Sequence, residues 1–370
     1  MLLGTNLSQR LIYSTKELWN FHGKKKESNF RIRSPFCFSK TSNRRGLIVV
    51  PSIYWETSEK IWGPGQGNIF FEIYQSAMES EHLEEIFFYK VESSSGNWHL
   101  SLIKIIKEYD IGFVLIDVEQ NPTGKGNWDL DIKIDYIRKF WAGPVILFSI
   151  DMAFASHLNR AAKIVKNDSK SILIAIDRSI KKFFFARGLG PLLVPISQKT
   201  FDYIDSRFKE PIEKKYEITF IGTVYPQREK VLKMITDLGI PLTINPHHDK
   251  VNRPSYIDYI KTLMESSYTL NLSKAGRDPV SQVKSRILEA TAFGTPVLTD
   301  SRNNVLGNLP LEKGIFRFNS LSELEKIIEK KDTINEDSWA YIVRHIKKEA
   351  RLHATKNFWA TIASKLFDSK

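Results

Sequence analysis

Short runs of hydrophobic residues alternate along this chain with longer segments in which apolar residues recur at helical spacing. Short continuous runs rich in valine, isoleucine and leucine are typical of strands buried on both faces, and their alternation with helices predicts a parallel sheet. The predicted strands of the first half are Leu47–Ile53, Ile86–Tyr89, Phe113–Val118, Val145–Ile150, Ile172–Ile176 and Leu192–Pro195. The predicted helices between them are Ile69–Met78, His99–Tyr109, Ile132–Phe140 and Met152–Val165.

The alternation stops at residues 198–216, which are charged, contain one proline and show no sustained apolar period, so we interpret this segment as an interdomain linker. It then resumes with the predicted strands Ile218–Ile221, Leu242–Ile244, Tyr268–Leu272 and Pro296–Leu298. The tail, Ser338–Phe367, predicts one long helix. We therefore divide the chain into a leader (1–46), a first domain (47–200), a linker (201–216), a second domain (217–335) and a terminal helix (336–370).

The composition agrees with a folded protein of two domains. A length of 370 residues exceeds one ordinary core, and the hydrophobic fraction of 42% is typical of globular chains. No apolar run reaches the roughly 20 residues that a membrane span needs, and the N-terminus lacks the pattern of a secretory signal. The single cysteine, Cys37, excludes an intramolecular disulfide, so we expect a reducing, cytoplasmic compartment.

The positive charge is concentrated in the leader. Residues 1–46 hold ten lysines or arginines against two glutamates, which is +8 of the total +12. This distribution does not indicate a uniformly basic nucleic-acid-binding surface. The leader contains a possible helix with Trp19 on its apolar face, followed by Lys24–Lys26. Two interpretations stay open: this helix and the lysines bind an anionic membrane surface, or the helix packs on the first domain.

The second half begins with a strand that ends in Gly222 and Thr223, followed by a loop and a helix with Arg228 near its start. Ligands of open α/β sheets bind beyond the carboxyl ends of the strands. Glycine allows close approach of the backbone to a phosphate, and arginine binds phosphate oxygens in bidentate fashion. The segment is therefore a candidate phosphate site. The alternative is an ordinary strand–turn–helix joint with a surface arginine.

Residues 283–300 predict a helix that ends at Gly294, which suits a left-handed stop, and continues past Pro296 into a short strand. This small-residue helix collects Lys284, Arg286 and Glu289 near the edge of the sheet. The alternative to a functional role is an ion pair between Arg286 and Glu289 on a solvated face.

Residues 217–330 resemble the C-terminal domain of group 1 glycosyltransferases, in particular the branch related to spore-maturation-type glycosyltransferases. The shared pattern is Phe-x-Gly-Thr followed by an arginine, then Asn-Leu-Ser, then Lys-x-Arg-x-x-Glu, and a Gly-Thr-Pro entry into a strand. The resemblance implies an α/β fold of the GT-B architecture, with two Rossmann-like parallel-sheet domains facing a cleft and a terminal helix that returns to the first domain.

The resemblance also implies a reaction: transfer of a sugar from a nucleotide sugar to a hydroxyl of a glycan, a lipid-linked saccharide or a similar surface polysaccharide, without a metal or an additional cofactor. It assigns Glu289 to the ribose, and Arg228 and Lys284 to the diphosphate. The expected donor-binding residues are Gly222, Thr223, Arg228, Asn271, Ser273, Lys274, Lys284, Arg286 and Glu289. Ser281 stands where many members carry a second glutamate, so an inverting and a retaining mechanism both stay open.

The first half offers a glycine-containing loop after its first strand. The loop holds Gly63, Gly65 and Gly67, which we expect beside the donor phosphate and the acceptor. The same composition also marks any turn.

A general base is expected at the end of a strand of the first half. Asp151 follows the predicted strand Val145–Ile150 and would accept the acceptor's proton in an inverting enzyme. The alternatives are that Asp151 caps the next helix, and that Asp117 or Glu119 is the base.

Two further motifs and two other classes of protein bear on this interpretation. The Asp-Leu-Asp at residues 129–131 is interpreted as helix capping, and His247-His248 lack a third ligand at metal-binding spacing. A sugar-nucleotide epimerase of the same fold usually needs further histidines and acids around the donor. A nucleic-acid-binding or nucleic-acid-modifying protein that uses the basic leader is the alternative outside this enzyme class.

Overall fold

The computed structural model describes most of both predicted sheets and the helices that cover them. The described residues are 43–51, 69–91, 96–118, 129–148, 161, 163–174, 188–189, 192–209, 212–245, 255–273, 285–300 and 314–367.

The first sheet has six parallel strands in the order β2-β1-β3-β4-β5-β6. Its strands are β1 (Arg45–Pro51), β2 (Glu85–Val91), β3 (Phe113–Asp117), β4 (Val145–Phe148), β5 (Ser171–Ile174) and β6 (Gly188–Leu189). The helices in this part are α1 (Ile69–Met78), α2 (Trp98–Glu108) and α3 (Leu130–Arg138). All five residues of β3 are buried, because helices cover both faces of the sheet, and this explains its uninterrupted apolar sequence.

The second sheet has five parallel strands in the order β11-β10-β9-β7-β8. Its strands are β7 (Tyr216–Ile221), β8 (Leu242–Asn245), β9 (Ser266–Asn271), β10 (Val297–Thr299) and β11 (Ile315–Arg317). The helices that follow the first sheet are α4 (Gln198–Arg207), α5 (Pro226–Asp237), α6 (Tyr256–Met264), α7 (Ser285–Ala292), α8 (Leu321–Asp332) and α9 (Glu336–Phe367). Two parallel sheets with covering helices confirm the predicted α/β class.

Two strands differ from the prediction. Residues 192–195, predicted as the sixth strand of the first half, are buried but do not pair in the sheet, and the short β6 at Gly188–Leu189 forms the edge instead. The strand β11 was not predicted, because Ile315–Arg317 is a run of only three residues with one exposed side chain. An apolar run in the sequence indicates that a segment is buried. Whether it also pairs as a strand depends on which backbone lies next to it in the folded protein.

The segment interpreted as a linker begins with a helix. α4 spans Gln198–Arg207, and the hydroxyl of Ser197 caps it by accepting a hydrogen bond from Thr200 N. Phe201 and Ile204 are fully buried, and they join a core that includes residues of α6 and α7. A helix of this length is stabilised mainly by tertiary packing, and here two large apolar side chains at i and i+3 pack into the neighbouring core.

The long helix α9 contacts both halves of the chain. Trp359 is fully buried, and its indole Nε1 donates to the backbone oxygen of Ile73 at 3.2 Å and to Ser76 Oγ at 3.0 Å, both on α1. Earlier in α9, the guanidinium of Arg351 donates to Ala292 O at 3.0 Å and pairs with Asp205 of α4. No helix in the described ranges is long and apolar enough to cross a membrane.

The helix stop predicted at Gly294 is confirmed. Gly294 has a φ of +82°, which favours glycine, and its N–H donates to Thr291 O at 3.0 Å. Thr295 N returns to Ala290 O at 2.8 Å, and the chain then enters β10. This tight stop fixes the position of α7 relative to the sheet.

Candidate donor-binding site

The carboxyl end of β7 leads into a turn that packs directly against Arg286 of α7. A Cβ atom at Gly222 would lie 2.6 Å from Arg286 Nη2, a distance that real Cβ atoms do not show. Glycine is therefore required for the guanidinium to reach the end of the strand. Thr223, the next residue, is partly exposed.

Arg228 joins the ends of two neighbouring strands. It is the third residue of α5, which has Pro226 at its start, and it is 6% exposed. Its Nη1 donates to Thr223 O at 2.9 Å and its Nη2 to Leu272 O at 3.0 Å. One buried arginine thus holds the loops after β7 and β9 together.

Two guanidinium groups share the ring of Phe220. The Cζ atoms of Arg228 and Arg286 each lie 5.8 Å from its centroid. Burial lowers the pKa of Arg228, and the nearby positive charge of Arg286 lowers it further. Within the described part of the chain, Nε of Arg286 is buried and has no hydrogen-bond acceptor. Like charges held this close favour an anion at this edge of the sheet.

Polar groups at the ends of β9 and β10 complete the edge. Asn271 is 1% exposed, and its Nδ2 donates to Thr299 Oγ1 at 3.1 Å. Its Oδ1 is buried and has no hydrogen-bond donor among the residues described. The N–H of Ser273 donates to Asp300 Oδ1 at 2.6 Å. Parallel strands end at the same edge, which is why residues distant in sequence meet here.

Glu289 lies one helical turn after Arg286 and is partly buried. Its Oε2 accepts a hydrogen bond from the hydroxyl of Tyr259 at 2.9 Å. Burial raises the pKa of Glu289, while Tyr259 and the charge of Arg286 oppose that rise. The carboxylate of Glu72 on α1 raises it further, so α1 lies within electrostatic range of α7. These contacts do not match the alternative of an Arg286–Glu289 ion pair on a solvated face.

The structure brings seven of the nine expected donor-binding residues to one sheet edge and its adjoining helices. These are Gly222, Thr223, Arg228, Asn271, Ser273, Arg286 and Glu289. Several of the other expected site residues lie outside the described residues: Gly63, Gly65, Gly67, Glu119, Asp151, Lys274 and Lys284.

The carboxylates of the first sheet have different surroundings. Asp117, the alternative base, is the last residue of β3 and is fully buried. Asp129 precedes α3 but its side chain makes no capping hydrogen bond, so the capping interpretation is wrong for this residue. Asp131 instead pairs with Lys163, which lowers the pKa of that carboxyl. No group of three histidine, cysteine or acidic residues suited to a metal ion occurs in the part of the chain that is described.

Sequence reasoning missed Tyr259, Thr299 and Asp300. Tyr259 belongs to the apolar face of α6, where a tyrosine is indistinguishable from a core residue until its hydroxyl partner is known. Asp300 directly follows a predicted strand, and the rule that strand ends bear ligands identifies it as a candidate.

Comparisons with known proteins concern the fold and the second half of the chain. A family model described as Glycosyl transferase-like matches residues 205–366. Among solved structures, a HepE protein of Anabaena in complex with UDP and glucose is 11% identical, with a TM-score of 0.50, covering 88% of this chain and 100% of that one. At this identity the similarity shows the fold alone. No curated protein matches the sequence.

Two further solved structures are similar over the same length. A sucrose-phosphate synthase of Thermosynechococcus elongatus is 10% identical, with a TM-score of 0.49, over 88% of this chain and 98% of that one. A UDP-N-acetylglucosamine 2-epimerase is 10% identical, with a TM-score of 0.44, over 89% of this chain and 97% of that one. The family match supports a glycosyltransferase, and the two parallel sheets with their helices match the fold of GT-B glycosyltransferases.

Proposed function

We propose that the protein transfers a sugar from a nucleotide-sugar donor to a hydroxyl of a glycan, a lipid-linked saccharide or a similar surface polysaccharide. The donor's diphosphate lies beside Arg228 and Arg286, and its ribose bonds to Glu289. The spacing of the Asn-Leu-Ser and Lys-x-Arg-x-x-Glu segments supports the spore-maturation-type branch.

The observation that supports this proposal most directly is the pair of arginines at Phe220. Both guanidinium groups are held by the fold, Arg228 through two main-chain oxygens and Arg286 against Gly222. Their mutual repulsion is unfavourable in the empty site and is relieved by a bound anion. A diphosphate carries its charge on oxygens that such groups bind in bidentate fashion.

The proposed reaction breaks the bond between the sugar's anomeric carbon and the diphosphate oxygen and forms a bond from that carbon to the acceptor oxygen. Negative charge grows on the leaving diphosphate, where positive side chains already in position stabilise the transition state. The acceptor's proton passes to a carboxylate of the first domain, for which Asp151 is the candidate and Asp117 or Glu119 the alternatives. No step in this scheme requires a metal ion.

A panel of nucleoside diphosphates tests the donor assignment. A ligand that binds only the folded protein stabilises it by RT ln(1 + [L]/Kd), which is about 2.7 kcal/mol at a hundredfold excess over Kd. We expect one of UDP, GDP, ADP and dTDP to raise the melting temperature, with the matching nucleoside giving a smaller rise. In Glu289→Gln we expect weaker binding, by about 1.5–3 kcal/mol, because a charged acceptor for the ribose is lost. Absence of stabilisation by every diphosphate would rule out the donor site.

A product assay separates the proposed transfer from epimerisation. A transferase releases the nucleoside diphosphate only as an acceptor hydroxyl is glycosylated, whereas an epimerase of the same fold alters the sugar without consuming an acceptor. Altered free nucleotide sugar with no glycosylated acceptor would favour the epimerase.

We also propose that the basic leader holds the enzyme at an anionic membrane surface, near a lipid-linked acceptor. Each basic residue close to such a surface contributes roughly 1 kcal/mol. Sedimentation with anionic vesicles compares the full chain with a variant that lacks residues 1–42. Equal partitioning of the two would remove the support for this role.

A further inference from the structure

Tyr259 is a buried phenol on α6 that faces the helix holding Glu289. It is 3% exposed, and its hydroxyl donates to Glu289 Oε2 at 2.9 Å. The described residues give the other carboxylate oxygen, Oε1, no hydrogen-bond donor. We infer that Tyr259 is a positioning residue of the proposed donor site, because its hydroxyl fixes one oxygen of Glu289 and leaves the other for a ribose. This inference rests on the proposed function.

The geometry separates this role from ordinary core packing. A side chain that only fills space has no requirement for a hydroxyl, and Phe would serve in this apolar surrounding. A glutamate has three flexible side-chain torsions, and holding one of its oxygens reduces the entropy lost when the ribose binds. The expected consequence of losing the hydroxyl is a less well oriented carboxylate in a protein that still folds.

The same hydrogen bond favours the ionised form of Glu289. Burial is the largest influence on the pKa of Glu289 and raises it, as does the charge of Glu72, whereas Tyr259 and Arg286 lower it. The second tyrosine of α6, Tyr256, also lies within electrostatic range of Glu289. The helix α9 contributes two charged residues, Lys347 and Arg351, which contact the C-terminal end of α7 near Gly294 and Ala292.

The sign of the pH effect follows from these contacts. Ribose hydroxyls donate to an ionised carboxylate, so nucleotide affinity falls as pH falls through the pKa of Glu289. Removing the Tyr259 hydroxyl removes an influence that lowers this pKa. The acid midpoint of nucleotide binding should therefore lie at a higher pH in Tyr259→Phe than in the wild type.

The test is a double-mutant cycle read by calorimetric titration with the nucleoside diphosphate that stabilises the wild type most. Tyr259→Phe should weaken binding about three- to tenfold at neutral pH, as expected for the typical net contribution of one hydrogen bond. On a Glu289→Gln background, the same change should have a clearly smaller effect, because the hydroxyl acts mainly through the carboxylate and only its interaction with Arg286 is left. Circular dichroism melting checks the fold of each variant.

Thr262→Val is the matched control on the same helix. Its hydroxyl donates to Asp258 O at 2.8 Å rather than to Glu289, so its loss should change neither the affinity nor the acid midpoint. An equal loss from Tyr259→Phe in both backgrounds, or an unchanged acid midpoint, overturns the positioning role. Normal affinity of Tyr259→Phe beside weakened Glu289→Gln overturns this inference alone. If no variant and no diphosphate shows an effect, the proposed function fails as well.

Discussion

Gly222→Ala tests the close approach of Arg286 to the end of β7, at a position whose φ of +156° also strains an alanine. The new Cβ would meet Nη2 at 2.6 Å, whereas ordinary contacts begin near 3.4 Å, so the guanidinium must withdraw by about 0.8 Å. The atom that moves is the far end of a flexible side chain, and the fold can accommodate that movement. We therefore expect a folded variant whose phosphate-binding group is displaced.

The size of the expected effect follows from the displacement. Misplacement of a catalytic or binding group by 1 Å costs on the order of 100-fold in rate, so we expect kcat/KM to fall by about 10- to 100-fold. Removing the clashing group should leave only the backbone strain of an alanine at a φ of +156°. On an Arg286→Met background, Gly222→Ala should therefore lower stability without a further loss of kcat/KM.

Gly239→Ala supplies the matched control. Gly239 follows α5 with a φ of +75° and has no atom within 4 Å of its added Cβ, so alanine there strains the backbone without a clash. We expect it to lose about 1–2 kcal/mol of stability and no nucleotide affinity. Activity and diphosphate affinity are measured on all four variants beside their melting temperatures. Unchanged kcat/KM in folded Gly222→Ala, or an equal loss in Gly239→Ala, would refute the reasoning.

Three further outcomes are expected. Arg228→Met should lower both activity and stability, by about 1–3 kcal/mol for each main-chain oxygen left without its donor, and chemical denaturation that shows no loss of stability would contradict its structural role. Turnover should persist in a chelator, and activity lost there and restored by Mg²⁺ or Mn²⁺ would contradict a metal-independent reaction. The hydrogen bond from Arg351 keeps the pKa of Asp205 below its ordinary value of 3.8. The pair therefore stabilises the fold above pH 3.8, and this stabilisation is lost as pH falls through the lower pKa of the folded state. In Asp205→Asn, melting temperature should therefore depend less steeply on acid pH, and an unchanged slope would show that the pair contributes nothing measurable.

The sequence by itself determined most of the secondary structure and the class of fold. The helix over Ile69–Met78 has the predicted bounds, and the stop at Gly294 has the predicted left-handed backbone. These features depend on neighbours in sequence: apolar spacing, a residue without Cβ and a following proline. For the same reason, the order of strand ends predicted that Gly222, Asn271 and Glu289 belong to one edge.

Only the tertiary structure decided which atoms meet at that edge. The sequence offered Arg286 and Glu289 as a pair three residues apart, but the fold turns Arg286 toward Phe220 and Gly222 and gives Glu289 a partner from α6. Tyr259 lies 30 residues from Glu289, and no local pattern distinguishes its hydroxyl from that of a core tyrosine. Contacts between separate elements depend on helix packing and strand register, which are set by burial of the whole core rather than by any single motif.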